Sequence, residues 1–284
     1  MARKTSGREA AGRKAKQKGH ALEKLLAYRL RTEPLIAAWL ATHCGQDRIA
    51  EDAEAYASGV HSEHVPSILG GWTSPKVDVA VHFDQPLKVS VKMSPKSQLW
   101  LVPVDRFLAG FEVAFSQAVP EEVAQCLRRF IGPLADEELQ GFHAIGLSQQ
   151  EFHQRRLSLD SLAALNEDQL QRMLAWFSEN MVEIAELSFS RGLAARQGDH
   201  AEYLWFFDPA IAEPDLDSPE HSLLISIAEL KAAIAGVHVA ERVTRGRRNG
   251  GTTLGFPFGG IQMHKSVLQV RHDKRKIQLL LGLA

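Results

Sequence analysis

Two short segments that alternate between apolar and polar residues constrain the fold of this chain more than any other feature. Residues 76–83 (KVDVAVHF) and 87–93 (LKVSVKM) have an apolar residue at every second position, and a short Asp-Gln-Pro connection separates them. This alternation is typical of strands, and two such runs across a short connection predict a β-hairpin. Asp78 lies on the first strand and Lys92 on the second. Because an unpaired buried charge is costly, we expect the two side chains to interact.

The pairing of Asp78 with Lys92 allows two interpretations. A carboxylate and an ammonium on the same side of an antiparallel pair can form a simple cross-strand ion pair. Alternatively, the carboxylate can hold Mg²⁺, which prefers oxygen ligands, while the lysine activates a water or stabilises a phosphorane-like transition state. The second interpretation predicts metal-assisted hydrolysis of phosphodiester bonds. The spacing of the two residues does not decide between them.

The rest of the chain predicts helices around a mixed sheet, in an α/β (α+β) fold. Leucines at helical spacing begin at residues 19–30 and continue after Pro34, and the polar residues 46–56 predict a further helix. Helices also dominate residues 105–191, with starts at Pro120 and Asn166. The other expected elements are loops at 65–76 and 245–260, strands at 201–208, 222–227, 266–272 and 276–281, and a short helix at 229–236.

Composition narrows the class of protein. The chain has two cysteines, outside any Cys-x-x-Cys pattern, which excludes a disulfide framework or zinc finger and suits a reducing, cytoplasmic compartment. No apolar run approaches the ~20 residues that span a bilayer, so no membrane partner is expected. Residues 1–20 carry seven Lys/Arg against one Glu, and residues 242–284 carry nine against one Asp. These basic ends, on a chain of net charge −1, predict a polyanion partner, first of all nucleic acid.

The hairpin resembles a known enzyme family. Ser-Pro-Lys-Val-Asp before the first strand and Ser-Val-Lys on the second are similar to the motif of PD-(D/E)xK restriction endonucleases, in the type II branch around MspI. The resemblance implies that Asp78 is the metal ligand, that Lys92 is the catalytic lysine and that the cofactor is Mg²⁺. It also implies a role for Glu23, in Gly-His-Ala-Leu-Glu-Lys, because the branch carries a glutamate on an N-terminal helix facing the metal.

The resemblance extends to residues expected to bind double-stranded DNA. After the catalytic lysine, the branch has serines and lysines that run along the DNA, and it ends in a glycine-rich loop followed by a basic stretch with a base-reading glutamine, which Gln278 would match. Arg and Lys on phosphates set position, whereas Gln and Arg on base edges give specificity. The candidate DNA-binding residues are Lys96, Ser97, Gln98, Arg247, Arg248, Thr252, Thr253, Lys274, Lys276 and Gln278.

Ser90 departs from the general motif, which has Asp or Glu two positions before the lysine. A serine hydroxyl is a weaker metal ligand, so a water fills the gap, Glu23 supplies the second charge, or a single Mg²⁺ binds. The resemblance thus implies a type II site-specific deoxyribonuclease that leaves 5′-phosphates, with Asp78, Lys92, Ser90 and Glu23 as catalytic residues. The alternatives are a non-specific or repair nuclease of the same fold, and a DNA-binding protein with an impaired site.

The sequence also gives expectations for the domain organisation and the partners of the chain. We expect a basic flexible arm over residues 1–18, which contain no large apolar side chain beyond Met1, and a single domain over residues 19–284. The helical region at about 105–195 is expected to be an insertion in the nuclease core and a possible homodimer interface. A cognate DNA methyltransferase is expected in the same host.

Overall fold

The computed structural model describes most of the chain. The residues it describes are 21, 23–45, 54–57, 64–82, 86–92, 96–144, 146–207, 222–246 and 251–283, and for 54–57, 82, 96, 97, 143 and 144 it describes the backbone alone. Contacts between residues divide the chain into two compact units. The first contains the described residues of Met1–Pro66, Trp72–Ser94 and Phe189–Ile227, and the second those of Ser67–Gly71, Pro95–Ser188 and Ala228–Ala284. The predicted arm, 1–18, lies outside the described residues, and the single domain stays a prediction.

The described elements come in runs of helices and runs of strands. The helices are α1 (residues 23–32), α2 (Pro34–His43), α3 (Val104–Phe115), α4 (Glu121–Ile131), α5 (Asp136–Ala144), α6 (Gln149–Gln154), α7 (Leu159–Glu179), α8 (Met181–Glu186), α9 (Ile227–Gly236) and α10 (Lys274–Leu280). The strands are β1 (Glu54–Ala57), β2 (Val65–Pro66), β3 (Trp72–Thr73), β4 (Val79–His82), β5 (Pro86–Lys92), β6 (Lys96–Val102), β7 (Tyr203–Phe207), β8 (Ser222–Ser226), β9 (Thr244–Arg245), β10 (Thr253–Phe256), β11 (Gly259–His264) and β12 (Val267–Asp273). No helix in these ranges is both long and apolar enough to cross a membrane.

The first unit is built on a mixed sheet, as predicted. Its strand order is β1-β4-β5-β7-β8, in which β5 and β7 are parallel and the other neighbours are antiparallel. The predicted hairpin is confirmed as β4 and β5, with Val79 opposite Val89. Helices α1 and α2 pack on one face of this sheet, where Leu26, Leu30 and Ile36 meet the valines of both strands in one apolar core. Burial of this apolar area is the main force that holds the hairpin in place.

The second unit contains the predicted helical region and an antiparallel sheet. The sheet has the order β6-β12-β11-β10-β9, and helices α3 to α7 belong to the same unit. Aromatic side chains form much of its core, because Phe111 lies 4.9 Å from Trp176 and Phe177 lies 5.7 Å from Phe256 between ring centroids. The predicted helix starts are also observed: α4 follows Pro120, and Asn166 interrupts the helical dihedrals of α7.

The prediction for residues 46–76 is wrong in two places. Residues 54–56 were expected in a helix, but Glu54–Ala57 form β1 and pair with Val79–His82, while 46–53 lie outside the described residues. An open edge of β4 offers backbone hydrogen bonds that outweigh a weak local helical preference. In the expected loop, Val65–Pro66 pairs with Trp72–Thr73 around a glycine turn at Gly70 and Gly71, both with positive φ.

The prediction for the C-terminal tail also needs two corrections. The described part of the expected glycine-rich loop forms the hairpin β10–β11, because its glycines allow close strand packing: a Cβ at Gly259, where φ is +157°, would lie 2.0 Å from the Arg271 carbonyl oxygen. Residues 276–281 were expected in a strand, but Lys274–Leu280 form helix α10. Asp273 caps this helix by accepting hydrogen bonds from the backbone N–H groups of Arg275 and Lys276.

Glu151 joins two helices of the second unit and gives a stability prediction. Ser148 and Glu151 form a capping box at α6, and the carboxylate also accepts a 2.7 Å hydrogen bond from the Ser158 backbone N–H, at the start of α7. Burial raises the pKa of Glu151, but hydrogen bonds from Ser148, Ser161 and Ser158 outweigh it and lower the pKa to about 2. Glu151→Ala should therefore lower the free energy of unfolding at pH 7 by about 1–2 kcal/mol, measured by urea denaturation.

The lowered pKa of Glu151 determines how its contribution to the free energy of unfolding changes with pH. Because the folded pKa of Glu151 lies below its ordinary value of 4.5, its contribution is fully present above pH 4.5 and disappears as the pH falls towards 2. The difference between the wild type and Glu151→Ala should shrink over that range. Glu137→Ala, at an exposed position of α5, is the control and should change stability little. Equal losses in both variants would contradict a specific role for Glu151.

Candidate active site

The strand alternation puts Asp78, Ser90 and Lys92 together at one end of the hairpin. Val79, Val89 and Val91 point into the apolar core below α1 and α2, so Asp78, Ser90 and Lys92, which alternate with them along the chain, lie on the opposite side. The backbone N–H of Asp78 donates a 2.9 Å hydrogen bond to the Val89 carbonyl oxygen, which extends the pairing one residue beyond β4. The Asp78 side chain therefore lies beside Ser90 and Val91 on the neighbouring strand.

A short hydrogen-bond network connects the three predicted catalytic side chains. Asp78 Oδ2 accepts hydrogen bonds from the Ser90 hydroxyl at 2.9 Å and from the Val91 backbone N–H at 2.7 Å. The Lys92 ammonium donates to Ser90 Oγ at 2.9 Å and to the Val91 carbonyl oxygen at 3.1 Å, and lies 3.4 Å from Asp78 Oδ2. The Ser90 hydroxyl thus donates a hydrogen bond to the Asp78 carboxylate and accepts one from the Lys92 ammonium. The ion pair expected from the sequence is present.

The network leaves one carboxylate oxygen for another partner. In the described part of the chain, every hydrogen bond to Asp78 falls on Oδ2 and none falls on Oδ1. The Asp78 side chain is 22% exposed and that of Lys92 15% exposed, so the site is reachable from solvent. Mg²⁺ binds through one or two carboxylates, keeps several waters and uses substrate phosphates as further ligands. The donor set of Asp78 Oδ1 and the neighbouring Ser90 hydroxyl fits that manner of binding.

Within the described residues, no metal site with three or more His, Cys, Asp or Glu ligands is observed. A resident zinc or calcium site built from protein ligands alone is therefore not found there. Any Mg²⁺ at Asp78 would depend strongly on water and on the substrate.

Glu23 belongs to the same unit as the hairpin. It lies on α1, its residue is 9% exposed, and Leu26, Ala27 and Leu30 follow it at helical spacing on the buried face of that helix. That face contacts the side of the sheet formed by Val79 and the other core residues, whereas Ser90 and Lys92 lie on the opposite side by alternation. The role of Glu23 as a metal ligand stays a prediction.

A second lysine, Lys76, lies close to the network in the chain and is not among the site residues predicted from the sequence. Lys76 is two residues before Asp78, and Val77 between them is buried. Removal of water from around the Lys76 amine and repulsion from the Lys92 ammonium lower the pKa of Lys76 to about 7, although the Asp78 carboxylate opposes this change. The signal for Lys76 was already in the sequence, since alternation gives residues 76 and 78 the same side of an extended chain.

The candidate DNA-binding residues occupy different parts of the second unit. The backbones of Lys96 and Ser97 lie on β6, but the structure does not describe their side chains. Arg247 and Arg248 lie outside the described residues. Thr252 and Thr253 lie at the start of β10 and are partly exposed. The ammonium of Lys276 donates hydrogen bonds to the carbonyl oxygens of Phe256 and Gly259, which gives it a structural partner. Lys274 and Gln278 lie on α10, which replaces the strand expected at residues 276–281.

A row of glutamines crosses three neighbouring strands of the second unit. The Gln262 side-chain amide donates a 2.7 Å hydrogen bond to Gln269 Oε1, and the Gln269 amide donates at 3.3 Å to Gln98 Oε1. Pairing of Thr253 with Gln262 and of Gln98 with Arg271 puts these residues on one side of the sheet. We call this side the glutamine face: Gln98, Thr253, Gln262, Gln269 and Arg271. The other side is apolar, with Leu254, Ile261, Leu268 and Val270 almost fully buried.

The strand expected around Gln278 is wrong, since this residue lies on helix α10, whereas its role in DNA binding stays a prediction. Gln269 lies on β12, is 8% exposed and is held on both sides by amide groups, whereas Gln278 lies on a helix. The alternation in Val-Leu-Gln-Val-Arg could have identified Gln269 and Arg271 as neighbours on one side of a strand. The hydrogen bonds to Gln98 and Gln262 could not be predicted, since they depend on the register between strands that are distant in sequence.

Comparisons with known proteins give little further information. No protein-family model and no curated protein sequence matches the chain. A crystal structure of the restriction endonuclease MspI in complex with its cognate DNA is similar to this chain with a TM-score of 0.45 and 13% identity, over 83% of this chain and 76% of that chain. A likeness this distant does not assign the function of MspI to this chain.

Proposed function

We propose that this protein is a Mg²⁺-dependent type II restriction endonuclease that hydrolyses phosphodiester bonds of double-stranded DNA at a short specific sequence. The observation that carries the proposal is the network at the end of the hairpin, in which Asp78 and Lys92 share the Ser90 hydroxyl and Asp78 Oδ1 accepts no described hydrogen bond. The resemblance of the surrounding sequence to PD-(D/E)xK enzymes supports the choice of DNA as substrate.

The chemistry follows from the groups in the network. Mg²⁺ bound at Asp78 would polarise the scissile phosphate and help to ionise a water. The Lys92 ammonium, held by Ser90 and the Val91 carbonyl, would orient the attacking water and stabilise the negative charge that develops on the phosphate oxygens. The bond from the water oxygen to phosphorus would form, the bond from phosphorus to the 3′-oxygen would break, the attacking water would lose one proton to solvent, and the leaving 3′-oxygen would take up one proton from solvent. The products are a 5′-phosphate and a 3′-hydroxyl.

Ser90 fits this scheme without the carboxylate of the general motif. Its residue is 1% exposed, and its hydroxyl both donates to Asp78 and accepts from Lys92, so it fixes the distance between the two charged groups. A carboxylate in the same position would add a charge and a metal ligand. We therefore propose that the site binds a single Mg²⁺ and uses Ser90 to position Lys92. Glu23 remains the candidate for a second acidic group.

Plasmid digestion tests the function and separates it from the two alternatives. With Mg²⁺, the protein should give discrete fragments whose ends carry 5′-phosphates and share one short sequence, and EDTA should abolish them. A smear of products would instead identify a non-specific or repair nuclease. Gel retardation without cutting would identify a DNA-binding protein with an impaired site. Either of the last two results would overturn the proposal of a restriction endonuclease.

We propose further that the glutamine face contacts DNA bases. Amide groups and a guanidinium match the donor and acceptor pattern of base edges, and Gln269 holds Gln98 and Gln262 in fixed orientations. Gln269→Leu removes that support at similar size. It should reduce discrimination between the preferred sequence and sites with one substituted base pair by about 10-fold, within the range of one good base contact. Relative cleavage rates on a set of substituted duplexes measure the effect.

Lys274→Ala is the matched comparison for Gln269→Leu. A lysine on phosphate sets position and carries no base information, so this variant should weaken binding to all duplexes to a similar extent. It should also lower the slope of log affinity against log salt by about 0.9. If Gln269→Leu also weakens all sites equally and leaves their ranking unchanged, the glutamine face does not read bases.

A further inference from the structure

The side chain of Lys76 approaches the Asp78 network from the segment before β4. Val77 and Val79 are 7% and 1% exposed and point towards the protein interior, while Lys76 and Asp78 are both partly exposed. The chain bends at Lys76 and Asp78, but the alternation of these two partly exposed residues with the buried Val77 and Val79 puts both on the side away from the valines. Ser90 and Lys92 alternate with valines in the same way on the neighbouring strand. Two lysines and one aspartate therefore share one side of the hairpin.

Gly192 provides the space in which the Lys76 side chain lies. A Cβ built at Gly192 would be 3.1 Å from Lys76 Cε and 3.3 Å from Lys76 Cγ, so the aliphatic stem lies directly over the glycine backbone. The φ of Gly192 is +55°, a conformation that favours glycine for a second reason. Gly192 also follows the π-helical turn Leu187–Arg191, and such turns are rare and frequent at functional sites. The absence of a side chain at Gly192 thus leaves the space that the Lys76 stem occupies.

The charge of the site suggests what Lys76 is for. Asp78 already has an ammonium partner in Lys92 at 3.4 Å and two further donors in Ser90 and the Val91 N–H. Structural pairing of the hairpin therefore does not require a second lysine. Each phosphodiester of a DNA backbone carries one negative charge, which a second ammonium beside the network would complement.

We propose that Lys76 is a positioning residue whose ammonium binds a backbone phosphate of the substrate beside the Asp78–Ser90–Lys92 network. Gly192 serves this role indirectly, because it leaves room for the lysine stem. The inference rests on the proposed function, since it needs DNA as the substrate. It adds a residue that the sequence analysis did not assign to the site.

The test compares Lys76→Met with the wild type. Methionine keeps the length of the stem and removes the charge. Binding to a labelled duplex in EDTA, measured by fluorescence anisotropy at several salt concentrations, should lose about 0.9 from the slope of log affinity against log salt. The single-turnover cleavage rate with Mg²⁺ at saturating DNA should fall by about 10- to 100-fold. Lys76→Arg, which restores the charge, should restore the slope and part of the rate.

Lys88→Met is the matched control. Lys88 lies on the same side of β5 as Lys92, pairs with Glu202 at 3.6 Å and has no part in the network, so its replacement should leave slope and rate near the wild-type values. If Lys76→Met does not fold, as judged by thermal unfolding, Lys76→Gln takes its place. A purely structural lysine would lower thermal stability with an unchanged slope, and that result overturns the inference.

The outcome also distinguishes this inference from the proposed function. A wild type that neither binds nor cuts the duplex contradicts the proposed function itself. A wild type that binds and cuts, with Lys76→Met equal to it in slope and rate, contradicts the role of Lys76 alone. Gly192→Ala adds an independent check. In the wild-type background its added Cβ should displace the Lys76 stem and slow cleavage. In the Lys76→Ala background, where no lysine stem lies over Gly192, it should cause no further loss.

Discussion

Lys92→Met is expected to lower the single-turnover rate of DNA cleavage by about 1,000-fold, while affinity for DNA in EDTA changes by less than about 10-fold. The Lys92 ammonium donates at 2.9 Å to Ser90 Oγ and at 3.1 Å to the Val91 carbonyl oxygen and lies 3.4 Å from Asp78 Oδ2, so its charge is held beside the carboxylate. Methionine fills the same space with no charge and no donor. The rate should therefore fall through the chemical step, as quench-flow measurements at saturating protein would show.

The control for Lys92→Met is Lys88→Met, four residues earlier on the same side of the strand and about 13 Å away at ~3.3 Å per residue. Lys88 pairs with Glu202 rather than with Asp78, so its loss should leave the cleavage rate within a few-fold of the wild type. Thermal unfolding should show that both variants remain folded. If Lys92→Met cuts at the wild-type rate, Lys92 has no catalytic role and the site is only an ion pair.

Asp78→Asn should lower Mg²⁺-dependent cleavage by a similar factor of about 1,000. Asparagine keeps an oxygen that can accept the hydrogen bonds from Ser90 and the Val91 N–H, so the hairpin should keep its geometry. It removes the negative charge and puts an NH₂ group in place of the second oxygen, which is the one proposed to bind the metal. Raising the Mg²⁺ concentration should recover part of the activity, because the remaining ligands are water and substrate.

Glu202→Gln is the matched control for Asp78→Asn. Glu202 is an acidic residue of the same unit that pairs with Lys88, and the proposed site does not use it. Its replacement should leave the Mg²⁺ dependence of cleavage unchanged. A wild-type Mg²⁺ dependence in Asp78→Asn would contradict the proposed metal ligand, even if the protein cuts DNA by other residues.

The sequence was sufficient to predict the hairpin and the network at its end. Alternation between buried valines and the residues 78, 90 and 92 is a local pattern, and it determines which side chains face each other once the two strands pair. The helical region was also predictable, because Pro120 and Asn166 begin helices for local reasons. The fold class followed from the order of these elements.

The errors came where distant pairing or close packing decides the structure. Residues 54–57 form a strand only because β4 offers them an edge, and the glycines at 255, 259 and 260 allow strand packing although they predict a loop. The wrong strand expected at residues 276–281 has the same origin, since the capped helix α10 depends on the rest of the unit. Lys76 was missed although its spacing was visible, because only the structure reveals Gly192 beneath its stem.

The most direct test of the central claim is the cleavage of one plasmid by the wild type, Asp78→Asn and Lys92→Met, each with Mg²⁺ and with EDTA. We expect discrete cleavage by the wild type with Mg²⁺ alone, and almost none by either variant under the same conditions. Intact plasmid with the wild type in Mg²⁺, or the same fragments from both variants, would contradict that claim.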